Sequence, residues 1–335
     1  MYIVSAGSQP SHSPLFELFN GEKSAHSEVP TRVKTIEAAL LEADYTISRT
    51  INKIPLNLLT SIHKPSYISF IKEASESLKN DEYIYPNVFN MLQVSTATSI
   101  MTKFGTYSTD VYTPIGKGTF KSAFDSASVA YTVAKKIQSE EKRVGYALCR
   151  PPGHHATSSL MGGYCYFNNS ALAAQYLSES GKVAILDVDL HHGNGTQEIF
   201  YQRPDVYTVS IHADPQFKFP HYSGFTEEVG TGAGKNFNKN YPLPNKTTDS
   251  AYQKTLESAV ESIRKYNPSY LVIALGLDTF VDDPIGFFSL TTEYFKKMAT
   301  TINSLDLPTV IVQEGGYNTE ELGSNVVSFL EGMDI

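Results

Sequence analysis

The stretch from Val183 to Gly195, VAILDVDLHHGNG, constrains the fold of this chain more than any other segment. Its first half is apolar at consecutive positions, which is typical of a strand buried on both faces of a parallel sheet. Its second half is rich in acids and histidines, and alternate strand residues share a face, so Asp187, Asp189 and His191 project the same way. Open α/β sheets hold their ligands at this carboxyl edge. The Asp-x-His pair is half of a metal site there, and the plain alternative is a capped, solvated strand end.

Four other apolar runs with strand character also end in polar residues. They are Val144–Cys149, which precedes His154 and His155; Val206–Ile211, which precedes His212; Tyr270–Leu277, which precedes Asp278; and Thr309–Val312, which precedes Tyr317. Apolar residues recur at helical spacing over residues 31–43, 65–78, 120–138, 168–178 and 250–265. This alternation predicts a single doubly wound parallel sheet with helices on both faces.

Three segments lack such periodicity, and we interpret them as loops. Residues 7–27 are polar and follow a short first strand at residues 1–6, while residues 214–240 contain many glycines and no predicted regular element of length. Residues 80–118 accumulate Tyr, Thr, Pro and Gly. Because long loops in compact enzymes often bind substrate, we expect residues 80–118 to shape the mouth of a site.

Charge and cysteine content narrow the class of protein. The 335 residues include 27 basic and 35 acidic side chains, a net charge of −8 that argues against a nucleic-acid-binding surface. Two cysteines, Cys149 and Cys165, do not make a disulfide framework. The N-terminus has no signal-peptide pattern, and no stretch of about 18 apolar residues predicts a membrane span. A cytoplasmic protein is expected, with export by a route that needs no signal left open.

The polar residues at the predicted sheet edge include a set of metal ligands. Asp189, His191 and Asp278 supply two carboxylates and one imidazole, which leaves a coordination position open, as in catalytic zinc sites. Oxygen and nitrogen donors also suit Fe(II) or Co(II), so the presence of a metal is better determined than its identity.

The remaining edge residues supply acid–base and hydrogen-bonding groups. The pair His154 and His155 can move protons during hydrolysis, with Asp187 and Asn194 as partners that fix their tautomers. Tyr317 can donate a hydrogen bond to a developing oxyanion. Each residue alone has a structural interpretation, and their joint arrival at successive strand ends favours catalysis.

These residues lie within motifs that resemble the zinc-dependent histone deacetylase family, and within it most resemble the bacterial acetylpolyamine amidohydrolases. The matching strings are RPPGHHA at 150–156, GGYCYFNN at 162–169, LDVDLHHGNGTQEIFY at 186–201, LGLDTFVDDPI at 275–285 and EGGY at 314–317. The resemblance implies a single arginase-like α/β domain over residues 1–335, built on an eight-stranded parallel sheet.

The resemblance also implies a role for each matching residue. The zinc ligands fall on Asp189, His191 and Asp278, and the carbonyl-polarising hydroxyl falls on Tyr317. His155 is implied to exchange protons with the attacking water and the leaving amine, while His154 acts electrostatically. Further matches are Asp187 and Asn194 as histidine partners, Tyr164 and Phe219 as the two aromatics of an acyl tunnel, and Arg32 beneath the site. Gly163, Ile285, Asp110 and Tyr112 are also expected to bind substrate. His192 is expected to be structural.

Two monovalent-cation sites, for K⁺ or Na⁺, are implied in the same way. The first would be formed by Asp187, Asp189, His191, Ser210 and Ile211, and the second by Phe200, Arg203, Val206 and Tyr241.

The mouth segment departs from the polyamine-specific pattern. Glutamates of the resembled enzymes align here with Met101 and Tyr112, and the nearest acid is Asp110. The expected activity is removal of acetyl or short acyl groups from N-acetylated amines, either acetylpolyamines or acetyl-lysine. The alternatives are a protein or histone lysine deacylase and a non-catalytic module that binds acetylated amines. An arginase-type dimetal site is disfavoured, because the stretch at 186–195 offers ligands for one metal. A homodimer is left open.

Overall fold

An eight-stranded parallel sheet forms the centre of the molecule. The computed structural model describes residues 1–7, 11–19, 21–87, 89, 99–141 and 143–334. Its strands are β1 (Tyr2–Ser5), β4 (Ile47–Ser48), β7 (Val144–Leu148), β8 (Val183–Asp187), β9 (Val206–Ala213), β10 (Asn238–Leu243), β11 (Tyr270–Leu275) and β12 (Thr309–Gln313). Their order in the sheet is β10-β9-β8-β11-β12-β7-β1-β4, and every neighbouring pair is parallel. The predicted fold class is confirmed.

Helices cover both faces of this sheet. They are α1 (Thr31–Glu42), α2 (Leu56–Ile62), α3 (Pro65–Glu76), α4 (Ile100–Tyr107), α5 (Thr119–Gln138), α6 (Asn169–Ser178), α7 (Asn194–Phe200), α8 (Asp249–Tyr266), α9 (Thr292–Asn303) and α10 (Leu322–Met333). One hydrophobic core includes residues of α1, α8, α9 and α10, and the other includes residues of α2, α3, α5 and α6. Within the described part of the chain, no helix combines the length and apolarity that a bilayer crossing requires.

The structure of β8 explains why residues 183–186 are apolar at consecutive positions. Ala184 and Leu186 pack in one core, while Val183 and Ile185 pack in the other. Both faces of β8 are therefore buried, and its period-two alternation is hidden in the sequence. The polar residues that follow have only the carboxyl edge of the sheet to occupy.

The loop predictions were partly wrong. Strands β2 (Phe16–Phe19) and β3 (Glu22–Ala25) pair antiparallel within the predicted 7–27 loop. The pattern was misleading because β2 buries its acid, Glu17, and exposes Phe19. Within 80–118, α4 and a second hairpin of β5 (Tyr83–Ile84) and β6 (Ile115–Gly116) are present, while residues 88 and 90–98 lie outside the described residues. Strand β10 also begins at Asn238, inside the predicted 214–240 loop.

Candidate active site

Three metal-ligating side chains from two neighbouring strands meet at the carboxyl edge. The ligand atoms of Asp189, His191 and Asp278 all lie within 4.8 Å of one another, and the three residues are buried. His191 Nδ1 is 2.9 Å from Asp278 Oδ2 and 3.4 Å from Asp189 Oδ1. The follow-on segments of β8 and β11 converge here because those strands are adjacent in the sheet.

The backbone around this cluster is shaped to admit the carboxylates. A Cβ on Gly276 would lie 2.0 Å from Asp189 Oδ2, and one on Gly315 would lie 2.7 Å from Asp278 Oδ2. Backbone amides also hold the carboxylates, since Gly315 donates to Asp189 Oδ2 at 2.8 Å and Leu190 donates to Asp278 Oδ1 at 3.0 Å. Two oriented carboxylates and one imidazole nitrogen therefore fit a three-ligand divalent metal site with an open position.

The tandem histidines lie beside this cluster and have different partners. His154 Nδ1 is 2.9 Å from Asp187 Oδ2, and His155 Nδ1 is 2.7 Å from Asn194 Oδ1. Burial opposes charge on His154, but the carboxylates of Asp189 and Asp187 raise its pKa to about 10. Burial, together with the neighbouring His154, holds the pKa of His155 well below its ordinary value. The two neighbouring imidazoles therefore have pKa shifts in opposite directions, with ring centroids 4.0 Å apart.

Tyr317 enters the site from the turn after β12. Asp283 holds that turn, because its Oδ2 accepts the backbone amides of Tyr317 at 2.6 Å and Asn318 at 3.1 Å. Burial raises the pKa of Tyr317 well above its ordinary value, so its hydroxyl keeps the proton it would donate. Ile285, which is expected to bind substrate, lies on the same loop and donates its amide to Asp283 Oδ1 at 3.0 Å. Asp283 is not among the site residues that were predicted from the sequence.

A buried ion cluster supports Tyr317 from below. Arg32 donates to the carbonyl oxygens of Gly316 and Glu314, both at 2.6 Å, and its guanidinium carbon lies 4.8 Å from the centre of the Tyr317 ring. Glu28 bridges Arg32 at 3.0 Å and Arg150 at 2.7 Å. The structure therefore locates Arg32 beneath the site, and Glu28 joins it there through a role that the sequence analysis missed.

Glu28→Gln is expected to lower the free energy of unfolding by about 3–5 kcal/mol, because it removes the carboxylate that forms buried ion pairs with Arg32 and Arg150. Burial alone would raise the pKa of Glu28, but Arg150 and Arg32 lower it to about 2. The stability that its charge contributes is therefore fully present above the ordinary glutamate pKa of 4.5 and is lost as the pH falls toward 2. Urea unfolding at pH 7 and at acidic pH measures this effect, and the difference between wild type and variant should narrow on acidification.

The control for this variant is Glu331→Gln, which weakens an ion pair to Lys296 in which the two side chains are 47% and 51% exposed. A surface pair of this kind contributes about 1 kcal/mol or less. Equal losses in the two variants would contradict a special role for the buried cluster.

Two aromatic side chains stand over the metal cluster and the histidines. The Phe219 ring lies 4.9 Å from His155 and 6.2 Å from His191, and the Tyr164 ring lies 5.6 Å from Tyr317. Gly163 lets the backbone pass, since a Cβ there would lie 2.3 Å from His155 Cδ2 and its φ is +50°. The structure thus places the two aromatic residues that were predicted to line an acyl tunnel next to the tandem histidines and Tyr317.

Next to Tyr164 lies an acid that the sequence analysis missed. Glu17, from the unpredicted hairpin, accepts the hydroxyl of Tyr164 at 2.7 Å and is 7% exposed. Tyr112, at the mouth, lies near both aromatic residues, with ring centroids 6.3 Å from Tyr164 and 6.1 Å from Phe219. Met101 lies on α4 with 42% of its surface exposed. An acidic side chain therefore lies against Tyr164, and it belongs to β2 rather than to the mouth segment at residues 80–118.

Glu314 is a further buried acid to which the sequence assigned no role, although it lies in the EGGY motif at residues 314–317. Its carboxylate accepts the backbone amides of Gly153 at 2.6 Å and His154 at 3.1 Å, and the hydroxyl of Ser170 at 2.7 Å. Burial raises the pKa of Glu314 to about 7. The acid therefore ties the tandem-histidine loop to the turn that carries Tyr317.

The residues expected to bind monovalent cations lie around β8 and β9. Asp187 pairs with Ser210 in the sheet register, and Ser210 Oγ is 2.8 Å from His212 Nδ1. The remaining residues are Ile211, Phe200 and Val206, which are buried, and Arg203 and Tyr241, which are partly buried. His192 lies outside the metal cluster, with its ring 4.6 Å from that of His212.

Comparisons with known proteins agree with this geometry. A family model described as the histone deacetylase domain matches residues 26–333. The acetylpolyamine amidohydrolase of Mycoplana ramosa is 38% identical over 324 residues, covering 95% of each chain. Acetylpolyamine amidohydrolase 2 of Pseudomonas aeruginosa is 36% identical over 334 residues, covering 96% of each chain.

A solved structure has the same architecture over nearly the whole chain. The crystal structure of an acetylpolyamine aminohydrolase from Burkholderia pseudomallei superposes with a TM-score of 0.94 at 34% identity, covering 99% of this chain and 98% of that one. The family model and these similarities extend across the strands that position the metal cluster, the tandem histidines and Tyr317. The chain therefore belongs to the histone deacetylase family and is a hydrolytic deacetylase.

Proposed function

We propose that this chain is a zinc-dependent amidohydrolase that removes acetyl or short acyl groups from N-acetylated amines, with acetylpolyamines as the preferred class. The observation that carries the proposal is the buried cluster of Asp189, His191 and Asp278 beside the tandem histidines and Tyr317. Residues 1–335 would act as one catalytic domain.

The buried carboxylates of Asp189 and Asp278 and the imidazole of His191 fit zinc, and these three side chains would hold it. When bound, zinc acts as a Lewis acid toward the acyl carbonyl and the attacking water. Asp187 and Asn194 would keep His154 and His155 in one orientation each, through the hydrogen bonds to their Nδ1 atoms.

The protein side chains would divide the proton transfers between them. His155, whose Nδ1 is engaged by Asn194, would use Nε2 to take a proton from water and return it to the leaving amine. His154, whose pKa burial lowers but Asp189 and Asp187 raise to about 10, would stabilise the negative charge that develops on the acyl oxygen. The Tyr317 hydroxyl would donate to the oxyanion.

Glu17 supports acetylpolyamines over acetyl-lysine in protein. Its carboxylate is held against the tunnel wall by Tyr164, where a charge attracts cationic substrates more strongly than it would in open water. The Mycoplana ramosa, Pseudomonas aeruginosa and Burkholderia pseudomallei relatives carry the acetylpolyamine name at 36–38% identity. Asp110 is a weaker candidate for a substrate acceptor, because four protein donors already occupy its carboxylate.

A substrate panel tests this preference. One zinc-loaded preparation would be assayed with acetylated putrescine, acetylated spermidine, acyl-lysine peptides of increasing chain length and an acetylated protein. Higher kcat/KM on the acetylpolyamines supports the proposal, whereas a peptide-only profile favours the protein lysine deacylase. No hydrolysis of any substrate by protein with one zinc per chain would favour the non-catalytic binding module.

Glu17→Gln is expected to raise KM for acetylpolyamines by about fivefold to thirtyfold, because a partly buried charge interaction with an ammonium contributes about 1–2 kcal/mol. The kcat/KM for an uncharged acetylated alkylamine analogue should change by about twofold or less. Steady-state kinetics on both substrates measure the difference. Glu22→Gln on the exposed β3 strand is the matched control, and equal losses on both substrates would contradict the electrostatic role of Glu17.

Three further parts of the proposal concern ions, assembly and location. A K⁺ or Na⁺ ion is expected at each of the two residue sets around β8 and β9. Sedimentation at micromolar concentration would distinguish a monomer from a homodimer. Cell fractionation would test the cytoplasmic location.

A further inference from the structure

The peptide unit that precedes Tyr317 is held at both of its polar atoms. The carbonyl oxygen of Gly316 accepts a hydrogen bond from Arg32 Nε at 2.6 Å, and the amide of Tyr317 donates to Asp283 Oδ2 at 2.6 Å. A trans peptide directs its carbonyl and its amide to opposite sides. A buried cation and a buried carboxylate therefore stand on opposite sides of the peptide that leads into Tyr317.

The residue before Tyr317 makes this double contact necessary. Gly316 has a φ of +114°, and a glycine changes between backbone conformations at little steric cost. Rotation of the peptide between Gly316 and Tyr317 would turn its carbonyl and its amide together, which breaks both hydrogen bonds to the charged groups. The two charges thus favour the backbone conformation that brings the Tyr317 ring to 5.6 Å from that of Tyr164.

The carboxylate of Asp283 holds more than this one amide. Its Oδ2 also accepts the amide of Asn318 at 3.1 Å, and its Oδ1 accepts the amide of Ile285 at 3.0 Å. The Asn318 side chain in turn donates to the carbonyl oxygen of Asp282 at 2.9 Å. One buried carboxylate therefore joins the loop that follows β11, with its expected substrate contact Ile285, to the turn that carries Tyr317.

We propose that Asp283 is a positioning residue for the Tyr317 hydroxyl, and that it affects the chemical step through that hydroxyl. Both oxygens of its carboxylate accept backbone amides, so Asp283 acts through what those amides carry. This inference rests on the proposed role of Tyr317 as the donor to the oxyanion.

Asparagine at this position provides the test, because it keeps the size of the side chain and removes its charge. Its NH₂ group cannot accept, so one of the two edges that now receive backbone amides would present a donor to them. The amide of Tyr317 would then lose its acceptor or keep only a neutral one, which binds more weakly. Asp283→Asn therefore loosens the turn without removing any atom of Tyr317.

The experiment is a double-mutant cycle of Asp283→Asn and Tyr317→Phe, with kcat, KM and zinc per chain measured on the zinc-loaded enzyme and one acetylated amine. With Tyr317 present, Asp283→Asn should lower kcat by about tenfold to thirtyfold and change KM by about threefold or less, because a charged hydrogen bond to the turn is lost or weakened. In the Tyr317→Phe background the same substitution should change kcat by about twofold or less, since no hydroxyl remains to be positioned. Zinc per chain should stay the same.

Asp282→Asn is the matched control, because it makes the same change at the exposed neighbouring acid and should retain wild-type kcat. The proposal would be overturned by an unchanged kcat in Asp283→Asn, by an equal loss of kcat in both backgrounds, by an effect confined to KM, or by loss of zinc. Should circular dichroism show that Asp283→Asn does not fold, Asp283→Ser replaces it in the cycle, since a smaller hydroxyl can still accept an amide.

The proposed function is tested separately by the Tyr317→Phe variant alone. Full activity in that variant would refute the role of Tyr317 as donor to the oxyanion. An impaired Tyr317→Phe variant together with an additive cycle would refute only the positioning by Asp283.

Discussion

The Tyr317→Phe variant is expected to lose about two to three orders of magnitude in kcat while keeping its zinc. The substitution removes only the hydroxyl, so the ring keeps its contact with the Arg32 guanidinium and the turn keeps its amides on Asp283. The clustered metal-ligating side chains are Asp189, His191 and Asp278, and the substitution leaves all three in place. The whole effect should therefore fall on stabilisation of the transition state.

Single-turnover kinetics and elemental analysis of the same preparation measure this result. A fall in kcat with KM changed by about threefold or less identifies an interaction made in the transition state. Tyr266→Phe, whose hydroxyl contacts the carbonyl oxygen of Pro204 on the exposed surface, is the control and should retain wild-type turnover. Unchanged turnover in Tyr317→Phe would contradict the proposed oxyanion role.

The Asp278→Ala variant is expected to bind zinc at least about 100-fold more weakly and to lose nearly all activity. The substitution removes one of three clustered donors, and it also leaves the backbone amide of Leu190 without its acceptor. Zinc per chain after dialysis against a chelator of known affinity gives the loss. Asp189→Ala should behave in the same way, because Asp189 supplies the second carboxylate of the cluster.

Asp282→Ala is the matched control, since it removes an exposed acid on the loop that follows Asp278. Circular dichroism on all three variants separates loss of metal from loss of fold. One zinc per chain in a folded Asp278→Ala variant would contradict the assignment of Asp278 as a ligand. The zinc would then have to be bound elsewhere, and the other buried group of possible ligands consists of His154, Cys165 and Glu314.

Much of the fold could be predicted because its signals are local. Consecutive apolar residues from Val183 to Leu186 indicate a strand buried on both faces, and the structure has β8 between two cores. The pairing of β2 with β3 could not be predicted from such a local apolar pattern. Its strands bury Glu17 rather than the apolar neighbours, since the inward position is occupied by a hydrogen bond to Tyr164. That partner is 147 residues away in the sequence.

The sequence by itself determined which chemical groups stand at the carboxyl ends of successive strands, because a parallel sheet brings those ends to one edge whatever the loops do. It thereby predicted the members of the metal cluster, the tandem histidines and Tyr317. Only the tertiary structure decided what else holds them: Asp283 under Tyr317, Glu314 under His154, and Tyr222 behind Asn194. These partners act through hydrogen bonds between distant segments, whose direction and length depend on how the loops pack and leave no periodic signal in the chain.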